Sequence, residues 1–300
     1  MDLRTHYVPR HYLRGFSRFD GERLIIWAFE KEGGRGFATQ PENIALETDF
    51  YPENVEAYLA NVVEEPSRQI LETIREERSF AASDKEEFSR YTLAMIRRVP
   101  RHRERLHMEI LPDAQARTFE AWRGLLQRER DLGHLSEYMY DFRMRELEEL
   151  EQNWGVELPD ELKPENRAPA ISTDVVSLLA SMNWTFVTTE GPIRFLTGDN
   201  PVFYTEALGM SKPNSELMFP LSPEVALWMK RGWHSPDCEF RRAKQFLVRE
   251  TNKRTILSAS QFVYYDENAR WISKLLTKKR LRPQRLPGRD SGLYMSRDQR

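Results

Sequence analysis

The first sixteen residues hold His6, Pro9, Arg10, His11, Tyr12, Leu13, Arg14 and Phe16. Imidazoles exchange protons near neutral pH, and guanidinium forks match phosphate and carboxylate oxygens. Arg10 and Arg14, four residues apart, share a face if this stretch turns helical. The large apolar residues between them predict that this terminus docks onto the body of the protein rather than fraying. A second concentration is Phe195-Leu196-Thr197-Gly198-Asp199-Asn200-Pro201-Val202. Pro201 biases Asn200 toward an extended backbone, so Asp199 projects where a predicted strand ends. A carboxylate there suits a general base or a ligand for a divalent metal. Gly-Asp-Asn-Pro is equally the chemistry of a turn, with Asp and Asn bonding their own backbone.

The third polar stretch is the basic run Arg97-Arg98-Val99-Pro100-Arg101-His102-Arg103 and onward to His107. Arg98 and Arg101 would stabilise phosphate charge. The pair Arg101 and His107 resembles the Arg-x4-6-His signature of HEPN ribonucleases, although arginine-rich helices match that spacing by chance. His234 and Cys238 are two metal-type side chains, too few for a zinc site. Gly33-Gly34-Arg35-Gly36 lacks the Lys-Ser/Thr and the following helix of a phosphate loop, and reads as a plain loop.

Strands are predicted at residues 24–29, 184–189, 194–197, 217–221, 225–229 and 261–265 from apolar runs and β-branched alternation. Residues 52–154 read as helical. Val55, Leu59, Val62 and Val63 recur at helical spacing, Pro66 suits a helix start, and Ser83-Asp84-Lys85-Glu86 resembles a capping box. The next helix carries Phe88, Tyr91, Thr92, Met95 and Ile96 on one stripe, and Pro100 should interrupt it. Further helices are expected over 114–130, 135–153, 174–182 and 240–259, with a last one from Asn268. Residues 155–169, with three prolines, read as a linker, and 287–300 as a disordered tail. The order implies an α+β fold: a helical half on a mostly antiparallel sheet, with the N-terminal segment docked onto the core. The expected organisation is a single domain over 1–286, helix-rich at 52–154 and sheet-rich at 170–286. Strand 24–29 would join the later sheet.

The 300 residues carry 45 Lys plus Arg against 47 Asp plus Glu, so no global field draws in a polyanion. The one cysteine, Cys238, permits no internal disulfide. With no signal-like or membrane-spanning apolar run, a cytoplasmic protein without a membrane span is expected.

The opening His6-x-x-Pro9-x-x-Tyr12-Leu13-x-x-Phe16 resembles the start of the bacterial and phage family called domain of unknown function 4238. Arg98-x-Pro100-x-x-Arg103 (or Arg97 and Arg101, one register over), Thr197-x-Asp199-Asn200-Pro201-Val202, Phe219-Pro220-Leu221-Ser222-Pro223 and Glu250-x-Asn252 agree in order, so the resemblance covers most of the chain. It departs at Gly198, where serine is expected. The family brings positions and no activity.

These positions point to a phosphate-directed hydrolase, a nuclease or phosphodiesterase of the defence or toxin kind, with nucleic acid or a nucleotide as partner. His6 or Asp199 would manage protons. Arg10, Arg98 and Arg101 would hold phosphate, and Asn200 would orient the substrate or a divalent metal. The alternatives are a non-catalytic interaction module, in which the same residues lock the N-terminus to the sheet, and a nucleic-acid binder. The binder would use the basic amphipathic helix from Trp271 and the tail beyond Lys278.

Overall fold

A computed structural model describes residues 4–48, 50–78, 80–106, 111–153, 171–204, 210–212, 215–231, 237–278 and 281. The linker at 155–169, the tail at 287–300, His107 and His234 lie outside the described residues. Two compact units form. One comprises the described residues up to Arg101 together with those from 171 onward, and the other lies within His102–Asn166.

In the larger unit the chain opens with β1 (Arg4–His6), α1 (Arg10–Arg14), β2 (Arg18–Asp20), β3 (Arg23–Glu30), β4 (Gly36–Thr39) and β5 (Leu46–Thr48). Four helices follow: α2 (Glu53–Tyr58), α3 (Glu65–Arg75), α4 (Lys85–Arg97) and the short α5 (Pro100–Arg105) that leaves the unit. In the smaller unit are α6 (Leu111–Asp131) and α7 (Glu137–Gln152). The chain re-enters the larger unit with α8 (Thr173–Ser181), β6 (Asn183–Thr188), β7 (Thr197–Gly198), β8 (Phe203–Tyr204), β9 (Glu216–Pro220), β10 (Val225–Lys230) and β11 (Glu239–Arg242). It ends with α9 (Gln245–Ser258), β12 (Phe262–Tyr265) and α10 (Arg270–Leu276).

One five-stranded sheet runs β11-β6-β10-β9-β8; the other runs β2-β3-β12-β7, with β4 on β3. All neighbours are antiparallel except β11 and β6. This is the α+β architecture. The strand expected at 24–29 is β3, and it pairs with β12 from the far end of the chain, Phe29 opposite Val263. The glycine run 33–36 makes the β3–β4 hairpin turn, where Gly33 and Gly34 take left-handed φ of 83° and 67°.

The core follows the two periodicities of the sequence. Along β10, Val225, Leu227 and Met229 join the main core, while Ala226 and Trp228 point into a second cluster with Leu247 and Val248 of α9. The stripe Phe88, Tyr91, Thr92, Met95 and Ile96 of α4 is buried. Phe88 packs near Trp184 of β6 and stacks on Phe219 of β9, so the helices cover that sheet face.

Several elements differ from expectation for identifiable reasons. Residues 239–242, expected largely as helix, form β11, because an open edge of β6 takes them up in parallel. Of the strand expected at 194–197 only Thr197-Gly198 is laddered, on β12. The α4 entry has no side-chain cap; a 3-10 turn at Ala82–Asp84 leads into it instead. Pro66 stands in the first turn of α3, as expected, but no break separates that helix from α2. A π-helical turn at Leu59–Glu64 joins α2 to α3, and the wider hydrogen-bond spacing accommodates a proline that donates no N–H.

In the smaller unit α6 and α7 are antiparallel. Gly133, with φ 77°, turns the chain between them, and the Ser136 hydroxyl caps α7 by accepting from Met139 N at 3.3 Å. Arg123 pairs with Glu151, and Tyr140 donates to Gln127 at 3.0 Å.

Candidate functional site

Pro9 fixes the entry into α1, whose five residues bury Tyr12 and Leu13 and leave Arg10 and Arg14 exposed. Tyr12 stacks on Phe219, with ring centroids 5.4 Å apart. Its hydroxyl donates to the Pro220 carbonyl at 2.6 Å. A phenol has one proton, so the Thr197 hydroxyl is the donor in the 2.7 Å bond to Tyr12. The opening motif is thereby joined at one atom to β7 in one sheet and to the end of β9 in the other.

The carbonyl ends of α1 are held by an arginine the sequence did not single out. Arg75 of α3 donates to His11 O at 3.2 Å, Tyr12 O at 2.7 Å and Leu221 O at 2.8 Å. The absence of a side chain at Gly15 makes room for it: a Cβ there would stand 2.1 Å from the Arg75 guanidinium.

Beneath α1 lies a buried charged network. Arg98, 2% exposed, pairs with Glu64 and donates to the His6 carbonyl at 2.5 Å. The other Glu64 oxygen stands 3.4 Å from His11 Nδ1, and His11 Nε2 is 3.1 Å from the Tyr91 hydroxyl. Burial pushes the Glu64 carboxyl up, but the Arg98 charge and hydrogen bonds from His11 and Arg98 outweigh it and hold it at about 2. Glu64 sits at the end of the π-helical turn, so the Pro66 irregularity places the carboxylate that receives Arg98. Neither Glu64 nor Tyr91 was foreseen in this role.

His6 stands at the end of β1, opposite Leu46 of β5. Burial lowers its pKa to about 4, helped by the charges of Arg10 and Arg98 and opposed by a backbone hydrogen bond at Pro41 and by Glu42. Its imidazole is therefore neutral at pH 7. His6 Nε2 is buried and has no hydrogen-bond partner among the described residues. Arg10 is exposed beside it, while Arg14 is tied to Glu42 at 3.2 Å.

Asp199, 2% exposed, follows β7 and aims its carboxylate at the turn between α9 and β12. One oxygen accepts from Ser260 N at 2.7 Å, and the other from Gln261 N at 2.6 Å and Phe262 N at 2.9 Å. Burial raises its pKa against these three bonds and the Lys31 charge. Asn200 donates to Ser258 O at 3.1 Å and Ser258 Oγ at 2.7 Å. Lys31 completes the clasp by donating to the carbonyls of Leu257 (3.2 Å) and Ala259, at the C-terminus of α9. Burial and the neighbouring Arg101 charge push the Lys31 pKa down. At Gly198 a Cβ would approach Phe262 O to 3.0 Å, so the position where serine was expected is tightly enclosed.

The predicted site residues thus fall into two groups. His6, Arg10 and Arg98 meet around β1 and α1. Asp199 and Asn200 meet Lys31, and through its charge Arg101, around the α9–β12 turn. No hydrogen bond or ion pair joins His6 to Asp199 among the described residues. Tyr7, the residue after His6, has its pKa raised by burial first and then by the Asp199 charge. Asn252, the other singled-out amide, is satisfied internally, accepting from Leu196 N at 2.9 Å and donating to Arg194 O at 2.8 Å. No group of three His, Cys, Asp or Glu side chains is placed to hold a metal ion among the described residues. No described helix is long and apolar enough to cross a membrane.

The fold and these clasped segments define an α+β protein whose opening segment, from Thr5 to Phe16, is built into its core. The profile of a protein family of unknown function, DUF4238, matches residues 4–269, and the chain belongs to that family. No curated protein and no solved structure matches it.

Proposed function

We propose that the protein acts on a phosphate ester, as a phosphodiester hydrolase of the nuclease or phosphodiesterase class, at the His6–Arg10 corner. The observation that carries this reading is the His6 imidazole, whose buried Nε2 lacks a hydrogen-bond partner among the described residues, beside the exposed Arg10 guanidinium; burial and the charges of Arg10 and Arg98 lower its pKa to about 4. Arg10 would take the phosphate oxygens as a fork. A phosphate seated there places negative charge against His6, offsetting the Arg10 and Arg98 fields, and lifts its pKa toward neutrality. The imidazole would then exchange a proton with the attacking or leaving oxygen. Arg98 acts in this reading by fixing the His6 carbonyl, and Asp199 and Asn200 by fixing the α9–β12 turn. Arg101, beside Lys31, supplies further positive charge for a polyanionic substrate.

The test is cleavage of single-stranded RNA, single-stranded DNA and bis-p-nitrophenyl phosphate by the intact protein, with and without divalent cations. His6→Gln should lower the rate about a hundredfold or more, the usual contribution of a positioned proton carrier. Arg10→Ala should lower it by a comparable factor while leaving thermal stability unchanged. Activity retained in His6→Gln, or no cleavage by the natural protein, counts against the reading.

A second reading has its own observation. Tyr12 and Asp199 have their polar groups satisfied inside the protein, and Arg98 commits both terminal nitrogens, to Glu64 and the His6 carbonyl, with only its Nε lacking a partner among the described residues. A non-catalytic interaction module whose motifs serve only to weld the N-terminus to the sheets would look like this. It predicts lost stability from substitutions at Tyr12, Arg98 and Asp199 and no substrate turnover.

A further inference from the structure

A cavity lies between α9 and α10, and none of its described lining residues belongs to the His6 corner. Its volume is about 470 Å³, within the size range of small-molecule sites. Arg249, Asn252 and Lys253 face it from α9, at the i, i+3, i+4 spacing of one helix side. Trp271, Lys274 and Leu275 face it from α10, with Lys278 just beyond, at i, i+3, i+4 and i+7. Ile193 completes the apolar floor, and no acidic side chain is among the described lining residues.

The cations are not equivalent. Lys253 pairs with the buried Glu250. Arg249, Lys274 and Lys278 have no carboxylate partner among the described residues, so three positive charges around the opening are not neutralised by any described side chain. The walls beneath them are held by hydrogen bonds, ring contacts and ion pairs. The Asn252 amide is pinned by two hydrogen bonds to the 194–196 backbone. The half-buried Trp271 packs edge-on against Tyr265, with ring centroids 5.8 Å apart. Tyr265 in turn lies under the Arg194 guanidinium, which is held by Asp266 and Glu224.

We infer that this cleft binds a nucleoside triphosphate, with the base against Trp271 and Leu275 and the phosphates among Arg249, Lys274 and Lys278. An indole beside aliphatic carbon suits a flat heteroaromatic ring, and three unpaired cations match a triphosphate. A purely apolar ligand would leave the cations idle. A bare polyphosphate would leave the indole and leucine wet. A longer nucleic-acid strand is the competing occupant, since Lys279, Arg280, Arg282 and Arg285 follow in the sequence, but the volume of the cavity suits a single nucleotide, and the RNA arm of the test below separates the two. The inference does not rest on the hydrolase reading, because none of the lining residues belongs to the His6 corner.

The test is equilibrium binding of ATP and GTP to the full chain, against adenosine, inorganic tripolyphosphate and a short single-stranded RNA. A nucleoside triphosphate should bind at least about tenfold more tightly than either adenosine or tripolyphosphate, since each lacks one half of the recognition. The double charge reversal Lys274→Glu/Lys278→Glu, at exposed positions, should weaken it about tenfold or more. Trp271→Leu, which keeps the apolar floor, should weaken ATP by about tenfold and leave tripolyphosphate unchanged. His6→Gln should leave ATP affinity as it is, which separates this cleft from the hydrolase site. The inference is overturned if neither nucleotide binds saturably or if affinity survives the charge reversal. It is also overturned if tripolyphosphate binds as tightly as ATP, or if only the RNA binds.

Discussion

The Thr197 hydroxyl lies 2.7 Å from the Tyr12 hydroxyl, across 185 residues of chain. The same phenol reaches the Pro220 carbonyl, so one side chain ties the docked N-terminus to both large sheets. Tyr12→Phe keeps the ring stacked on Phe219 and removes only the hydroxyl, leaving buried Thr197 and Pro220 groups without that partner. The expected cost is about 1–3 kcal/mol of stability. Thermal denaturation should show it as a midpoint lowered by several degrees, and an unchanged midpoint would contradict the role assigned to the bond.

Arg98 is a harder group to replace. Its removal leaves Glu64 buried without its main counter-charge, so Arg98→Met should destabilise by about 3–5 kcal/mol. Arg98→Lys should recover little, because a single ammonium does not reproduce a fork that spans Glu64 and the His6 carbonyl. The double substitution Arg98→Met/Glu64→Leu should be less damaging than Arg98→Met alone. Chemical denaturation of the three variants measures this directly.

Gly15→Ala tests a close approach rather than a backbone angle. The added Cβ would displace the Arg75 guanidinium from the carbonyls of His11, Tyr12 and Leu221. A loss of about 1–3 kcal/mol is expected, comparable to breaking buried charge-assisted bonds. In an Arg75→Ala background the same glycine substitution should cost much less, and equal costs in both backgrounds would refute the steric argument.

Acid stability follows from two depressed pKa values. His6 is lowered to about 4 and Glu64 to about 2. In the unfolded chain each takes up its proton at a higher pH than in the folded protein. Stability is therefore full above the unfolded pKa values. It should fall as pH drops from about 6.5 through 4 for His6, and from about 4.5 through 2 for Glu64. His6→Gln should flatten the first part of that decline and leave the second. Midpoints recorded across this pH window check it.

Much of the architecture was legible because it is periodic. The α4 stripe and the alternating residues of β10 announce both their element and their buried faces, and β3 and β12 are short apolar runs between turns. What was hidden depends on partners that side-chain patterns do not record. Arg75 acts on backbone carbonyls 63 and 146 residues away, at Tyr12 and Leu221. Glu239-Phe240-Arg241-Arg242 has no strand-like alternation and becomes β11 only because β6 offers an edge. The site was legible as residue types and not as roles. Asp199-Asn200 reads as either turn or site, and it is the N–H groups of Ser260, Gln261 and Phe262 that occupy its carboxylate.

The central claim is a neutral His6 imidazole whose cationic neighbour receives phosphate. Its most direct test is a proton NMR titration of the His6 ring in the natural protein, assigned by comparison with His6→Gln, with and without inorganic phosphate. The account predicts a titration at about 4 in the free protein that moves toward neutrality when phosphate is added; in Arg10→Ala the starting value rises, because one of the charges that lowers it is gone, and phosphate no longer moves it. A His6 that titrates near its ordinary value of about 6.5, or that is blind to phosphate, would contradict it.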